Sequence, residues 1–185
     1  MKAKTHAVLL CFCSILLIIG LTGCAVGGTS FSLTSSGMAT SASEKSADEQ
    51  KLDETVFPKD KIVDVKITID ESEFQELLDN ASAEEYKEAN VEYNGQTFKN
   101  VGIRAKGNLS LRSVVNMPDS DRYSFKISFD EYVSQTLEGI TKINLNNNYS
   151  DASYMREFLS YELAEEMGLP TPKYSYVNVY VNDEL

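Results

Sequence analysis

The sequence predicts an α+β domain, an antiparallel sheet with a helix packed against it, carried behind an N-terminal signal and a tether. Three observations lead there. Apolar and polar residues alternate strictly in Val63, Val65, Ile67 and Ile69 and again in Tyr123, Phe125, Ile127 and Phe129, the pattern of half-buried strands. Asn94-Gly95 sits between two strand-like runs and marks a hairpin, because this dipeptide accepts the positive φ angles of a type I′ turn. From about Ala152 to Met167 the apolar residues recur at helical spacing, and Gly168 and Pro170 close the segment. Strands and helices do not alternate as βαβ units, which disfavours a two-lobed solute-binding lipoprotein.

The N-terminus reads as a lipoprotein signal spanning residues 1–23. Lys2 and Lys4 precede an apolar run from Ala7 to Gly20, which Leu21-Thr22-Gly23-Cys24 closes. Cleavage before Cys24 leaves a thiol and a new amino group for acylation by a chain such as palmitate, placing the protein on the outer side of a cell membrane as a lipid-anchored species. Residues 24–54 are then a tether: Gly, Ser, Thr and Ala dominate through Ser43, followed by charged residues, with no apolar periodicity to offset the entropy of ordering. The folded unit is expected over residues 55–185.

The same reading narrows the chemistry. Cys11 and Cys13 fall in the signal, Cys24 is the lipidation site, and the single histidine, His6, is also removed. The mature domain thus has no disulfide, no thiolate or histidine metal site and no histidine-dependent nucleophile. Carboxylates, lysines, arginines and hydroxyls remain, an inventory suited to hard cations such as Mg²⁺ together with phosphate. The formal net charge of -11 argues against nucleic-acid binding and favours basic partners.

Taken in order, the strand from Val63 leads into a helix with Asp70 as N-cap, Glu73 three residues on, and Phe74, Leu77, Leu78 and Ala81 at helical spacing. The hairpin of Ala89–Tyr93 and Gln96–Ile103 follows, with Val101 and Ile103 facing the core. Arg104-Ala105-Lys106-Gly107-Asn108-Leu109-Ser110 reads as a loop in which Arg104, Lys106 and the Ser110 hydroxyl reach an anion while Gly107 allows close backbone approach. On the next strand Lys126 points away from the aromatic face. In the helix ending at Met167 the apolar stripe is Met155, Phe158, Leu159, Leu163 and Met167, with Glu162 inside it and Glu157 on the far side. A carboxylate on a packed face calls for a cation, since burying an unpaired charge costs several kcal/mol. Lys126 is the expected partner, with Arg156 or solvent as the alternatives. Asp121, Asp130 and Asp151 lie at strand ends or a helix start and read as turn and capping residues.

Several ordered segments carry a family resemblance: Val101–Asn108, Asp121–Ile127, Leu145–Tyr149, Tyr154–Glu157, Tyr161-Glu162 and Met167–Pro170. From Val56 onward the chain resembles the CotH kinase (spore coat protein H) family of divergent secreted or surface-associated protein kinases. The resemblance implies an atypical protein-kinase-like N-lobe that binds ATP with Mg²⁺ or another divalent cation and, with its C-lobe, phosphorylates serine in protein substrates. It makes Lys126 the phosphate-contacting lysine and Glu162 its partner, with Arg104, Lys106 and Ser110 over the nucleotide and Arg156 nearby. Tyr174–Val181 alternates as a strand and Asn182-Asp183 reads as the turn of a hairpin. The second strand, the hinge and the C-lobe that carries the catalytic and metal-binding aspartates in the family do not follow within the sequence, so no catalytic residue is assigned and the chain by itself is expected to be inactive. The alternative function is a non-catalytic surface binding, adhesion or spore-coat-like structural module on the same fold.

Overall fold

The computed structural model describes residues 45–185. The expected signal, Cys24 and most of the tether lie outside the described residues. The architecture is α+β: six strands in one sheet with four α-helices among the described residues. Among these residues no helix is long and apolar enough to cross a membrane.

Charged composition places residues up to 54 in the tether, but Ala47–Thr55 forms helix α1. Ser46 caps it reciprocally with Glu49: the Glu49 amide donates to Ser46 Oγ at 3.2 Å and the Ser46 amide to Glu49 Oε2 at 3.1 Å. Two apolar residues are enough to dock it. Leu52 packs on the core, and Val56, just past the helix, is fully buried, its carbonyl accepting the Tyr93 hydroxyl at 2.6 Å. Burial pushes the Tyr93 phenol up to about 12, which keeps it a donor. Surface ion pairs from Asp53 to Lys173 and from Lys51 to Glu138 fix the helix laterally.

The strands are β1 (Val63–Thr68), β2 (Lys87–Tyr93), β3 (Gln96–Lys106), β4 (Ser124–Ser128), β5 (Lys142–Leu145) and β6 (Val177–Val181), in the order β5-β4-β3-β2-β1-β6. β1 shows the strict buried-exposed alternation that its sequence dictates. β2 and β3 join through Asn94 (φ 46°) and Gly95 (φ 81°), the two left-handed positions of a type I′ turn. Helix α2 (Glu71–Asp79) starts at Asp70, whose Oδ1 accepts the amides of Ser72 and Glu73. It lays Phe74, Leu77 and Leu78 on the core, with Phe74 against Phe125 at a ring separation of 6.1 Å. The core holds the inward residues of β1 to β5, including Ile67, Val101, Ile103 and Ile127, together with Phe129 just past β4, each at most 1% exposed. Phe98 meets Phe129 edge to face at 4.8 Å.

Two features depart from the expected architecture. The sheet is mixed: β6 pairs with β1 in parallel, Val63 opposite Val177 and Ile67 opposite Val181, while every other pairing is antiparallel. A hairpin cannot make a parallel pair, so the chain crosses between the two sheet edges from β5 to β6, and helix α4 (Arg156–Glu166) is that crossover. The second departure is in the segment Arg104–Ser110 read as a basic loop: β3 runs on through Lys106, held by its pairing with β4, and helix α3 (Leu109–Val115) already starts at Leu109, anchored by the buried Leu111 and Val114. At the far end of β6, Asn182 and Asp183 both have positive φ, and Val181 and Glu184 exchange backbone hydrogen bonds of 2.8 and 3.0 Å, so the expected tight turn is formed.

Candidate functional site

The register of β3, β4 and β5 decides which polar side chains share a face. Arg104 stands opposite Lys126, and Lys126 opposite Asn144. Lys106 lies two residues beyond Arg104 and is diagonal to Lys126, so three cations project from the side of the sheet that faces away from the core. They are not equivalent. Arg104 is committed: its guanidinium pairs with Glu84, donates to its own neighbour's carbonyl at Ala105, and lies over the Tyr86 ring at 5.3 Å. Lys126 has no ion-pair partner among the described residues.

Lys106 is the most constrained of the three. Its Nζ donates to Asn146 Oδ1 at 2.7 Å, and the Asn146 amide donates in turn to Glu157 Oε1 and Oε2 at 2.9 and 3.1 Å. Tyr161 completes the chain, its hydroxyl donating to Glu157 Oε1 at 3.1 Å. Burial holds the Lys106 ammonium below its ordinary pKa; Glu157 opposes this, and the positive charges of Lys126 and Arg104 add to it. A lysine that its surroundings disfavour as a cation, beside a second cation, gains most from an anion brought between them.

Glu162 does not meet Lys126. It accepts from Lys59 Nζ at 2.7 Å and from the Tyr174 hydroxyl at 2.7 Å, while Lys59 also bonds Glu165 at 2.7 Å and stands 4.2 Å over the Tyr174 ring. The reason is the rotation of α4. Its inward side is Glu157, Phe158, Tyr161 and Glu162, all partly buried, with Phe158 stacked on Tyr176 at 4.8 Å and edge-on to Tyr174 at 5.1 Å. The aliphatic stripe read as the packed side faces out. The inward residues were legible as an i, i+1, i+4, i+5 repeat, two of them aromatic, yet Leu and Met outweighed them. Asn146 and Glu157 are therefore the site residues that sequence reasoning missed.

The Lys59 cluster predicts an acid-sensitive attachment of α4. Hydrogen bonds from Lys59 come first among the causes that lower the Glu162 and Glu165 carboxyls below the ordinary 4.5. Carboxylates depressed in the folded state contribute stability that is present above pH 4.5 and lost as pH falls through their folded values. Lys59→Met is expected to lower the thermal midpoint at pH 7, and the gap from the unsubstituted protein is expected to close on acidification below pH 4.5, read by circular dichroism melts across pH.

The other expected site residues are placed as follows. Gly107 has φ 135°, and a Cβ there would come 2.5 Å from Ser110 Oγ, so Ser110 closes over the backbone at the start of α3. Arg156 begins α4, its amide donating to Asp151 Oδ2 at 2.9 Å and its side chain exposed. Asp151 is thus a capping residue, as expected, and Asp130 accepts from Ser128 Oγ at 3.0 Å. Among the described residues no three carboxylate, cysteine or histidine side chains converge as a metal site.

The segment holding these cations also carries the family signal. Residues 103–185 match the CotH kinase protein family. No curated protein matches the chain. The CotH match begins in β3, immediately before Arg104, and includes β4, β5, α4 and β6, so Arg104, Lys106, Ser110, Lys126, Asn146 and Glu157 all lie within it. α1, β1, α2, β2 and the first part of β3 precede the CotH-matching segment, so two whole strands of the six-stranded sheet lie outside it.

Proposed function

We propose that this CotH-like chain contributes the nucleotide-binding lobe of an ATP-dependent protein kinase, anchored at the extracytoplasmic face of a membrane by a lipid on Cys24 and acting on basic, serine-containing protein substrates. The observation that supports it is the pair of lysines on the polar face of β3 and β4. Lys126 carries its charge without an ion-pair partner among the described residues, and Lys106 is held below its ordinary pKa first by burial and then by its cationic neighbours. Both conditions are relieved by phosphate oxygens. Asn146 and Glu157 would hold Lys106 in place, and Ser110 with the Gly107 backbone would border the phosphates. ATP with a divalent cation would supply the transferable phosphoryl group; no metal ligand is assigned to this chain.

Calorimetric titration of the chain with Mg²⁺-ATP tests the reading. Binding is expected, and Lys126→Ala is expected to weaken it at least about tenfold, the order of one charge-assisted hydrogen bond. Absence of nucleotide binding, or an affinity indifferent to Lys126, would leave the surface binding module as the better account.

A further inference from the structure

We infer that the outward face of α4 is a two-fold interface through which two copies of this chain associate, the helices pairing antiparallel. Four large apolar side chains at i, i+4 spacing stand on that face, and none is covered: Met155 is 48% exposed, Leu159 52%, Leu163 59% and Met167 66%. Large contiguous apolar surface of this kind marks an interaction site. Its layout specifies the occupant. Met155 and Met167 are equidistant from the helix middle, as are Leu159 and Leu163, so the stripe is its own complement when a second α4 is laid across it in the opposite direction. Met155 then meets the partner's Met167, and Leu159 the partner's Leu163.

The charges on the same face follow the same symmetry. Arg156 and Glu166 flank the stripe, equidistant from the middle, both exposed, and neither has an ion-pair partner among the described residues. Within one chain their placement is unfavourable, a cation in the first turn and an anion in the last, each opposing the helix dipole. Across the two-fold axis Arg156 faces the partner's Glu166 twice over, and the two dipoles run opposite. A charge arrangement that works against the isolated helix and for the pair is the signature of a self-complementary contact. With one short helix per protomer, the interface is at the small end of specific ones, and a dissociation constant in roughly the micromolar range is expected. The inference does not depend on nucleotide binding.

Sedimentation equilibrium of the full chain in density-matched detergent provides the test. The unsubstituted chain is expected to dimerise reversibly. Leu159→Asp, at an exposed position that leaves the fold intact by circular dichroism, is expected to weaken the dimer at least about tenfold. Arg156→Glu is expected to weaken it roughly tenfold by turning two attractions into repulsions, and adding Glu166→Arg is expected to restore it. Association through the apolar N-terminus would be indifferent to all of these changes. A monomer, an oligomer insensitive to Leu159→Asp, or a double variant no better than Arg156→Glu would each overturn the inference.

Discussion

Phe129→Ala is expected to destabilise the domain by about 3–5 kcal/mol, the range for removing a fully buried aromatic ring. Phe129 is 0% exposed, directly follows β4 in line with its core-facing residues, and meets Phe98 at 4.8 Å. The core does not readily close the void, because other members of the same cluster, Ile103, Ile127 and Leu137, are themselves at most 1% exposed and densely packed. Against a total stability of roughly 5–15 kcal/mol, the loss removes a large share of the folded population. Urea denaturation followed by tyrosine fluorescence measures it. A loss below about 1 kcal/mol would show that β4 is not the centre of the core.

Gly107→Val is expected to have the next largest effect and to couple stability to the cation face. At φ 135° a β-branched residue is strained, and its Cβ would stand 2.5 Å from Ser110 Oγ and 3.1 Å from the Leu111 backbone nitrogen. Ser110 can rotate away, but the Leu111 amide belongs to α3 and cannot move without shifting the helix. The expected cost is about 2–4 kcal/mol, combining backbone strain with overpacking. Lys106 immediately precedes the strained residue, so any affinity for Mg²⁺-ATP should fall together with the melting temperature. An undiminished melting temperature would show that this backbone relaxes freely.

Local signals in the sequence carried the local structure. Asp70 caps α2, Asn94-Gly95 turns the hairpin, and Val101, Ile103, Ile127 and Phe129 face the core, because each follows from chemistry within a few residues of chain. Non-local structure was less legible. α1 escaped because a helix docked by Leu52 and Val56 through a capping box and ion pairs shows no apolar period. The parallel pairing of β6 with β1 could not be read, since alternation sets which side chains point inward but not which strand lies alongside. At the site, strand alternation put Lys126 on the polar face, but Lys106 was read as a loop residue although it ends β3, and the carboxylate expected beside Lys126 pairs with Lys59 instead. Both sides of α4 carry apolar residues, and only the aromatic surroundings of Tyr174 and Tyr176 decide which one turns inward. Glu157 thereby reaches Asn146, and Glu162 reaches Lys59.

The parallel closure of the sheet sets a schedule for folding. Asp64 and Asn178, bonded across β1 and β6, are 114 residues apart along the chain. Contacts so distant in sequence form late, because the intervening loop entropy is lost before the pairing repays it. During synthesis, β1 can pair with β2 early but must wait, with its other edge open, until nearly the whole described chain has emerged. For that interval the nascent protein presents an unsatisfied strand edge of alternating valine and isoleucine, the kind of template that captures other chains. Escort by a holdase over that interval would matter more for the yield of this protein than the equilibrium strength of its core.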